Sequence, residues 1–409
     1  AEDGIRDYKV TGVQTCALPI CPAVRLGALW RADAQGVRAG FGALVVSTVT
    51  GLIAGTILAR ISHRIEELPG LLLLVPAAVG MRGNVFGALS SRLGTAVHMG
   101  TFRLSPRLDT EVGQNLGASV LLSLSLALVL GAAAKGFAVL FGVHHAISLA
   151  DFVVVSVIGG LIPIVVVMGI TVGVSALSAR RGWDLDNVAA PVVTAAADSV
   201  TLPSLVLATG LVSLRWVTPV LAVVCTVIGV AALVSGLRAV SLPILRRIVQ
   251  ESTPVLVVSG FISILAGKVE DAGLAPLLRY KVLFVLIPPL LSISGSLAGI
   301  LSARLASKLH LGLLDPERRS LRAVSDDVLF VYVLSLSIFT ILGVATSGVA
   351  ALFSLSGPGT LSVIAVAVVA GLLATTLTNV VAYYSGFVTF RFSLDPDNFG
   401  IRSEEHTSE

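Results

Sequence analysis

The chain has 409 residues, of which 55% are hydrophobic and only 13% charged, with a formal net charge of +4 and a mean hydropathy of +0.94. Soluble domains carry about 25% charged residues, and this sequence repeatedly shows runs of about 20 apolar residues, the length that crosses a bilayer core as helix. A soluble enzyme, a nucleic-acid binder and a disulfide scaffold are excluded, and the composition is that of an all-α polytopic membrane protein.

Residues 1–21 stand apart from the rest of the chain. Glu2–Ile20 reads as the translation of an indexed sequencing adapter, ending in TGTGCTCTTCCGATC, and Arg402–Glu409 is the translation of AGATCGGAAGAGCACACGTCTGAA. Both ends are therefore set aside from the fold. The remaining insert carries 25 Lys and Arg against 18 Asp and Glu, a balance of +7. Only Cys225 is a secure cysteine of the insert, so no disulfide or thiolate metal site is expected.

Hydropathy then predicts ten spans: 41–59, 69–89, 117–141, 151–177, 188–212, 216–237, 253–266, 277–301, 328–353 and 361–390. Lys and Arg are enriched in short cytoplasmic loops. With the N-terminus inside, the inner segments hold seventeen of them and the outer segments six. A multi-pass protein of the cell membrane with a cytoplasmic N-terminus is the expected arrangement.

Two blocks repeat. Met81–Gly100 and Ile293–Gly312 align at a constant offset of 212, pairing Gly83 with Gly295, Gly87 with Gly299, Ser90 with Ser302, Arg92 with Arg304 and His98 with His310. Pro76 pairs with Pro288 at the same offset, and Asp184, Asp186 and Asn187 pair with Asp395, Asp397 and Asn398 at 211. The expected organisation is a first repeat over 41–212, a linker transmembrane helix and cytoplasmic loop over 213–252, and a second repeat over 253–401 that lacks its fifth helix. An odd number of spans per repeat would invert the second copy, and the linker helix restores parallel orientation. Duplicated transporter halves commonly place their site near the midplane at the repeat interface.

Asp198 lies inside the fifth span with Thr194 one turn before it. An intramembrane carboxylate is costly and faces a cavity or a partner. It either ligates a crossing cation, directly or through water, or pairs with a buried base such as Arg82 or Lys135. If the second span breaks at Gly80 to Asn84, its freed carbonyls must line water or protein, with Asn84 and Ser296 offering oxygens at matching positions. The pairs Gly51/Gly55, Gly83/Gly87 and Gly295/Gly299 also stand at the GxxxG spacing that lets helices pack closely. The acids at 184, 186, 395 and 397 either draw divalent cations to the inner mouth or cap helix N-termini. His144 and His145 are too few for a transition-metal site, which takes three or four protein ligands. Oxygen donors suit a mostly hydrated magnesium ion, which is typically held by one or two carboxylates plus retained waters.

The helix carrying Pro76, Gly83, Asn84, Ser90 and Arg92, followed by Asp184, Pro191, Thr194 and Asp198, resembles the integral membrane domain of MgtE-type magnesium transporters. Two such domains in one chain resemble the fused solute-carrier form of that family. The resemblance implies magnesium transport through a pore between two five-helix units, with Asp198 binding the hydrated ion and Thr194 presenting its carbonyl. It departs from the family at Arg82, where a small residue is usual, and at Leu185, where the second copy keeps Pro396. The offset of 211 carries Asp198 onto position 409, inside the terminal octapeptide, so the partner acid is missing and the literal 409-residue chain is expected to be impaired.

The expected substrate is thus a divalent cation, magnesium foremost, and the expected surroundings are the lipid bilayer, with no nucleic acid, no cofactor and a single-chain pseudo-dimer. A sodium- or proton-coupled exchanger on the same fold is the alternative. From other classes come a non-transporting scaffold and an intramembrane aspartyl enzyme. The enzyme needs two carboxylates sharing a proton, and no second acid is predicted within an intact span.

Overall fold

The computed structural model describes residues 34–60, 67–143, 146–181, 185–212, 214, 216–310, 314 and 321–391. Among them are eleven helices and no strand. In chain order they are α1 Ala34–Arg60, α2 Leu71–His98, α3 Glu111–Leu140, α4 Leu149–Arg181, α5 Leu185–Thr209, α6 Val217–Arg238, α7 Pro243–Ala272, α8 Leu274–Arg279, α9 Val282–His310, α10 Leu321–Leu352 and α11 Thr360–Arg391. Contacts divide the chain at Arg38, and the packed helical body lies within residues 39–409.

Eight of these helices are long and apolar enough to cross a membrane, and α1 and α5 carry the shorter apolar stretches Leu44–Arg60 and Ala196–Thr209. Each of the ten expected spans therefore falls on a helix. The largest boundary difference is at α7, which starts at Pro243 rather than near Thr253. Arg246, Arg247 and Glu251 depress hydropathy there without opposing helix: Pro243 opens the first turn, and Arg247 pairs with Glu251 one turn on at 3.0 Å. A break at Gly80–Asn84 is absent, because α2 runs unbroken from Leu71 to His98. A helical glycine costs about 1 kcal/mol, less than leaving amides unbonded where there is no water to replace them.

In the first half α2 packs on α3, α4 and α5; in the second half α9 packs on α10 and α11, and α10 on α11. The leading helices cross over. α7 packs on α2 and α3 of the first half, while α1 meets α9 of the second. A Cβ built on Gly55 would lie 2.7 Å from Val285 Cα and collide with the Val285 carbonyl oxygen; one on Gly267 would lie 2.7 Å from Leu73 Cα and 2.6 Å from the Leu72 oxygen. Gly55 and Gly267 differ by 212, as do Leu73 and Val285, so these are the same contact made twice, once in each direction. Proline sharpens the fit. Pro76 cannot donate to the Leu72 carbonyl, nor Pro289 to that of Val285, and each freed carbonyl faces the glycine of the incoming helix. Between helices in lipid, such close backbone approach supplies the packing that the hydrophobic effect no longer does. Buried Ala54, Leu58, Leu73, Leu126, Phe152, Leu205, Ile264 and Val285 belong to one continuous core that joins both halves.

Candidate functional site in the membrane core

Asp198 is 8% exposed on α5, and its carboxylate accepts a hydrogen bond from the Ser292 hydroxyl of α9. The bond joins the two halves, at a place where α5 and α9 touch. On α9, Ser296 follows one turn later and donates to the Ser292 carbonyl at 3.0 Å. Ser199, next to Asp198, donates to the Thr50 carbonyl of α1 at 3.1 Å. Asn84 is exposed on α2, and its amide donates to the Ser259 hydroxyl of α7 at 3.3 Å. An exposed carboxamide midway along an apolar span is costly against lipid tails and fits a water-lined groove.

Neither base offered as a partner for Asp198 serves it. Lys135 donates to the carbonyls of Ala146 and Ile147 at 3.3 and 2.9 Å. Arg82, wholly buried, donates to the Ala78 carbonyl at 2.7 Å and to the Ser156 carbonyl of α4 at 3.3 Å. Room for it comes from Gly160, where any Cβ would overlap the guanidinium. The residue that departs from the family pattern is thus absorbed between α2 and α4. Gly160→Ala is expected to lower stability by about 1–3 kcal/mol, the scale of overpacking. Adding Arg82→Met should restore much of the loss, read as the unfolding temperature of the purified protein.

The repeated arginines anchor α2 and α9 to the next helix. Arg92 donates from Nε to Asn115 of α3 at 2.7 Å, and Arg304 donates from Nε to Asp327 of α10 at 3.0 Å. Asn115 and Asp327 also differ by 212. In the second half the acid is joined by Lys308 as well, and Asp327 is fully buried. Asp326 and Asp327 stand just before the predicted span 328–353; the structure puts them in the opening turns of α10. Glu270 likewise falls inside α7, so acids do lie within spans. The aspartyl-enzyme reading gains nothing from this, since Asp327 is held by two bases and Glu270 lines an apolar groove with Leu277 and Leu286. Asp327→Ala strands two cations and is expected to cost on the order of 3 kcal/mol, eased by the partial exposure of Arg304 and Lys308. Asp327→Asn, which copies the first half, should cost less in the same thermal unfolding measurement.

The remaining predicted residues scatter. Pro76 and Ser90 lie within α2, the latter buried; Gly83 is buried, and Gly295 is exposed with open space around it. The side chain of Thr194 lies outside the described residues, as do those of Asp186 and Asn187 at the start of α5 and all of Asp184, Asp395, Asp397 and Asn398. Among the described residues no group of three or more His, Cys, Asp or Glu side chains could hold a metal ion. Sequence reasoning missed Ser292 and the Asp327 anchor. Ser292 sits one turn before Ser296, and extending the offset of 212 from Asn115 would have reached Asp327.

The family model described as MgtE, divalent cation transporter, matches residues 75–208 and 287–402, two segments that begin 212 residues apart. The chain belongs to the MgtE family. Among curated proteins it is similar to solute carrier family 41 member 2 of Xenopus laevis, at 28% identity over 277 residues, 63% of this chain and 47% of that protein. The Gallus gallus protein of the same name is 27% identical over 292 residues, covering 67% and 47%. The Mus musculus protein is 27% identical over 277 residues, covering 63% and 46%. The chain thus spans about half the length of the curated relatives it matches. No solved structure matches. MgtE proteins are transporters rather than enzymes, and the eight apolar helices agree with a multi-pass membrane protein.

Proposed function

We propose that the chain carries divalent cations, magnesium foremost, across the membrane along a path between its two halves, with Asp198 as the charged ligand. The observation that carries this reading is the buried carboxylate at the α5–α9 contact, bonded to a neutral hydroxyl while Arg82 and Lys135 are engaged elsewhere. Such a carboxylate is a poor structural element, because a lone buried charge is expensive, and a good cation site. Magnesium gives up water reluctantly and needs few protein ligands, so one carboxylate with the Ser292 and Ser296 hydroxyls, the Thr194 carbonyl and Asn84 nearby along the path holds a mostly hydrated ion. The acids of positions 184, 186, 395 and 397 gather cations at the inner mouth, with the N-terminus on the same cytoplasmic side. One chain supplies both halves, so the working unit is a pseudo-dimer.

Purified protein in liposomes should give saturable magnesium uptake above protein-free vesicles. Uptake that follows an imposed potential marks a channel, whereas uptake that needs a sodium or proton gradient marks an exchanger. No uptake under any of these gradients overturns the reading.

A further inference from the structure

One buried polar group takes no part in that path. Asn379 of α11 is 5% exposed, and neither its amide nitrogen nor its oxygen has a partner. In a bilayer, where water cannot compensate, leaving both ends of a carboxamide unbonded costs several kcal/mol by transfer scales. In α4 and α11 the repeats are offset by 211, since Gly131 meets Val153 where Gly343 meets Ile364, and the equivalent position of the first half is Met168, half-buried and apolar. One turn before Asn379 on α11, the Thr375 hydroxyl bonds to the Ser335 hydroxyl of α10 at 2.8 Å, both residues being fully buried. Beside them Tyr332 and Thr376 make a second hydroxyl pair at 2.8 Å.

Register fixes where this cluster leads. α10 and α11 are antiparallel, so one turn onward from Thr375 to Asn379 corresponds to one turn back from Ser335 to Val331, and the next turn sets Tyr383 level with Asp327. Polar groups therefore run from the end of the helices that carries Arg304, Lys308 and Asp327 to mid-span. Past Ser335 the file is closed by the Phe339 ring, which packs directly against Gly371. The polar file thus ends at mid-span.

We propose that this buried polar cluster is a separate site for a small monovalent cation, held by the Asn379 side-chain carbonyl oxygen and by the Thr375 and Ser335 hydroxyls, which turn from each other to the ion. All three donors are neutral oxygens, and the nearest carboxylate along the file, Asp327, is already bound to two bases. A hard divalent ion is ordinarily held with at least one carboxylate. Transition metals would need imidazole or thiolate, and no such cluster exists among the described residues. A singly charged ion is the one whose dehydration three neutral dipoles can offset. The amide of Asn379 then keeps its nitrogen toward the Tyr383 side and its oxygen toward the ion.

The test is binding of radioactive sodium to the purified full chain in magnesium-free buffer, with potassium as competitor and choline as inert replacement. The reading is independent of magnesium flux, so failure of the Asp198 path leaves it unaffected. Saturable binding is expected, weakened about tenfold in Asn379→Val, the scale of losing one contact to a charged group, and by less in Thr375→Ala. Asn379→Val removes two unbonded polar atoms, so its unfolding temperature without sodium should equal or exceed that of the parent and shows that it folds. Binding of neither sodium nor potassium to the parent, or equal binding to parent and Asn379→Val, means that the cluster holds no cation and overturns the proposal.

Discussion

Asp198→Ala should reduce magnesium flux by about 100-fold or more, beyond the 10–100-fold that loss of a supporting outer-shell group typically costs a metal site. Asp198→Asn is the sharper version, since it keeps the size of the side chain and its contact with Ser292 and removes only the charge. Flux should fall nearly as far, while stability stays level or rises, because replacing a buried ion with a neutral group is often neutral or stabilising. Opposite signs in activity and stability separate a ligand from a structural acid. Ser292→Ala touches the carboxylate and not its charge, so a loss of about tenfold is expected. The three variants are compared by tracer uptake into liposomes, with unfolding temperature measured on the same preparations. A scaffold role predicts the reverse pattern, with altered stability and unchanged flux.

The second large effect concerns the exchanged leading helices. Gly55→Ala and Gly267→Ala each place a methyl group against backbone of the opposite half, near Val285 and near Leu72 and Leu73. Backbone cannot rotate aside as a side chain can, so each substitution should cost about 1–3 kcal/mol or more, and the two costs should be similar because the contacts are equivalent. Gly87 and Gly299 are the controls, since a Cβ on either meets nothing within 4 Å. Alanine at those positions should be tolerated or stabilising by up to ~1 kcal/mol of helix propensity. Yield of monodisperse protein and unfolding temperature in detergent distinguish the two pairs. If all four substitutions behave alike, the crossing of α1 and α7 is not what holds the halves together.

The positions of the ten spans were legible because helix in a bilayer is imposed by length and apolarity, and the offset of 212 made the duplication legible as well. Asp198 stood out for the same reason, a charge where charge is expensive. What could not be read was direction around each helix axis. Arg82 and Asn84 are neighbours in sequence, yet Arg82 turns to Ser156 and Gly160 of α4 and Asn84 to Ser259 of α7. The glycines at 80 and 83 looked like a helix break because composition shows their low propensity and not the absence of competing water. The exchange of α1 and α7 was invisible too, since connectivity alone would leave each with its own half. Its trace in the sequence was the pair Gly55 and Gly267, which share the offset of the recognised blocks but lie outside them.

That exchange also bears on how the protein is made. α1 leaves the ribosome well before α9, and the backbone that Gly55 meets at Val285 is encoded 230 residues later. At 5–20 residues per second the delay is roughly 10–50 s, during which Gly51 and Gly55 face lipid or the insertion machinery. A first half synthesised alone would expose two unfilled seats, one on α1 and one on α2 where α7 belongs. Such a half is an orphan that quality control can recognise, so the arrangement couples survival of the nascent chain to completion of its second copy.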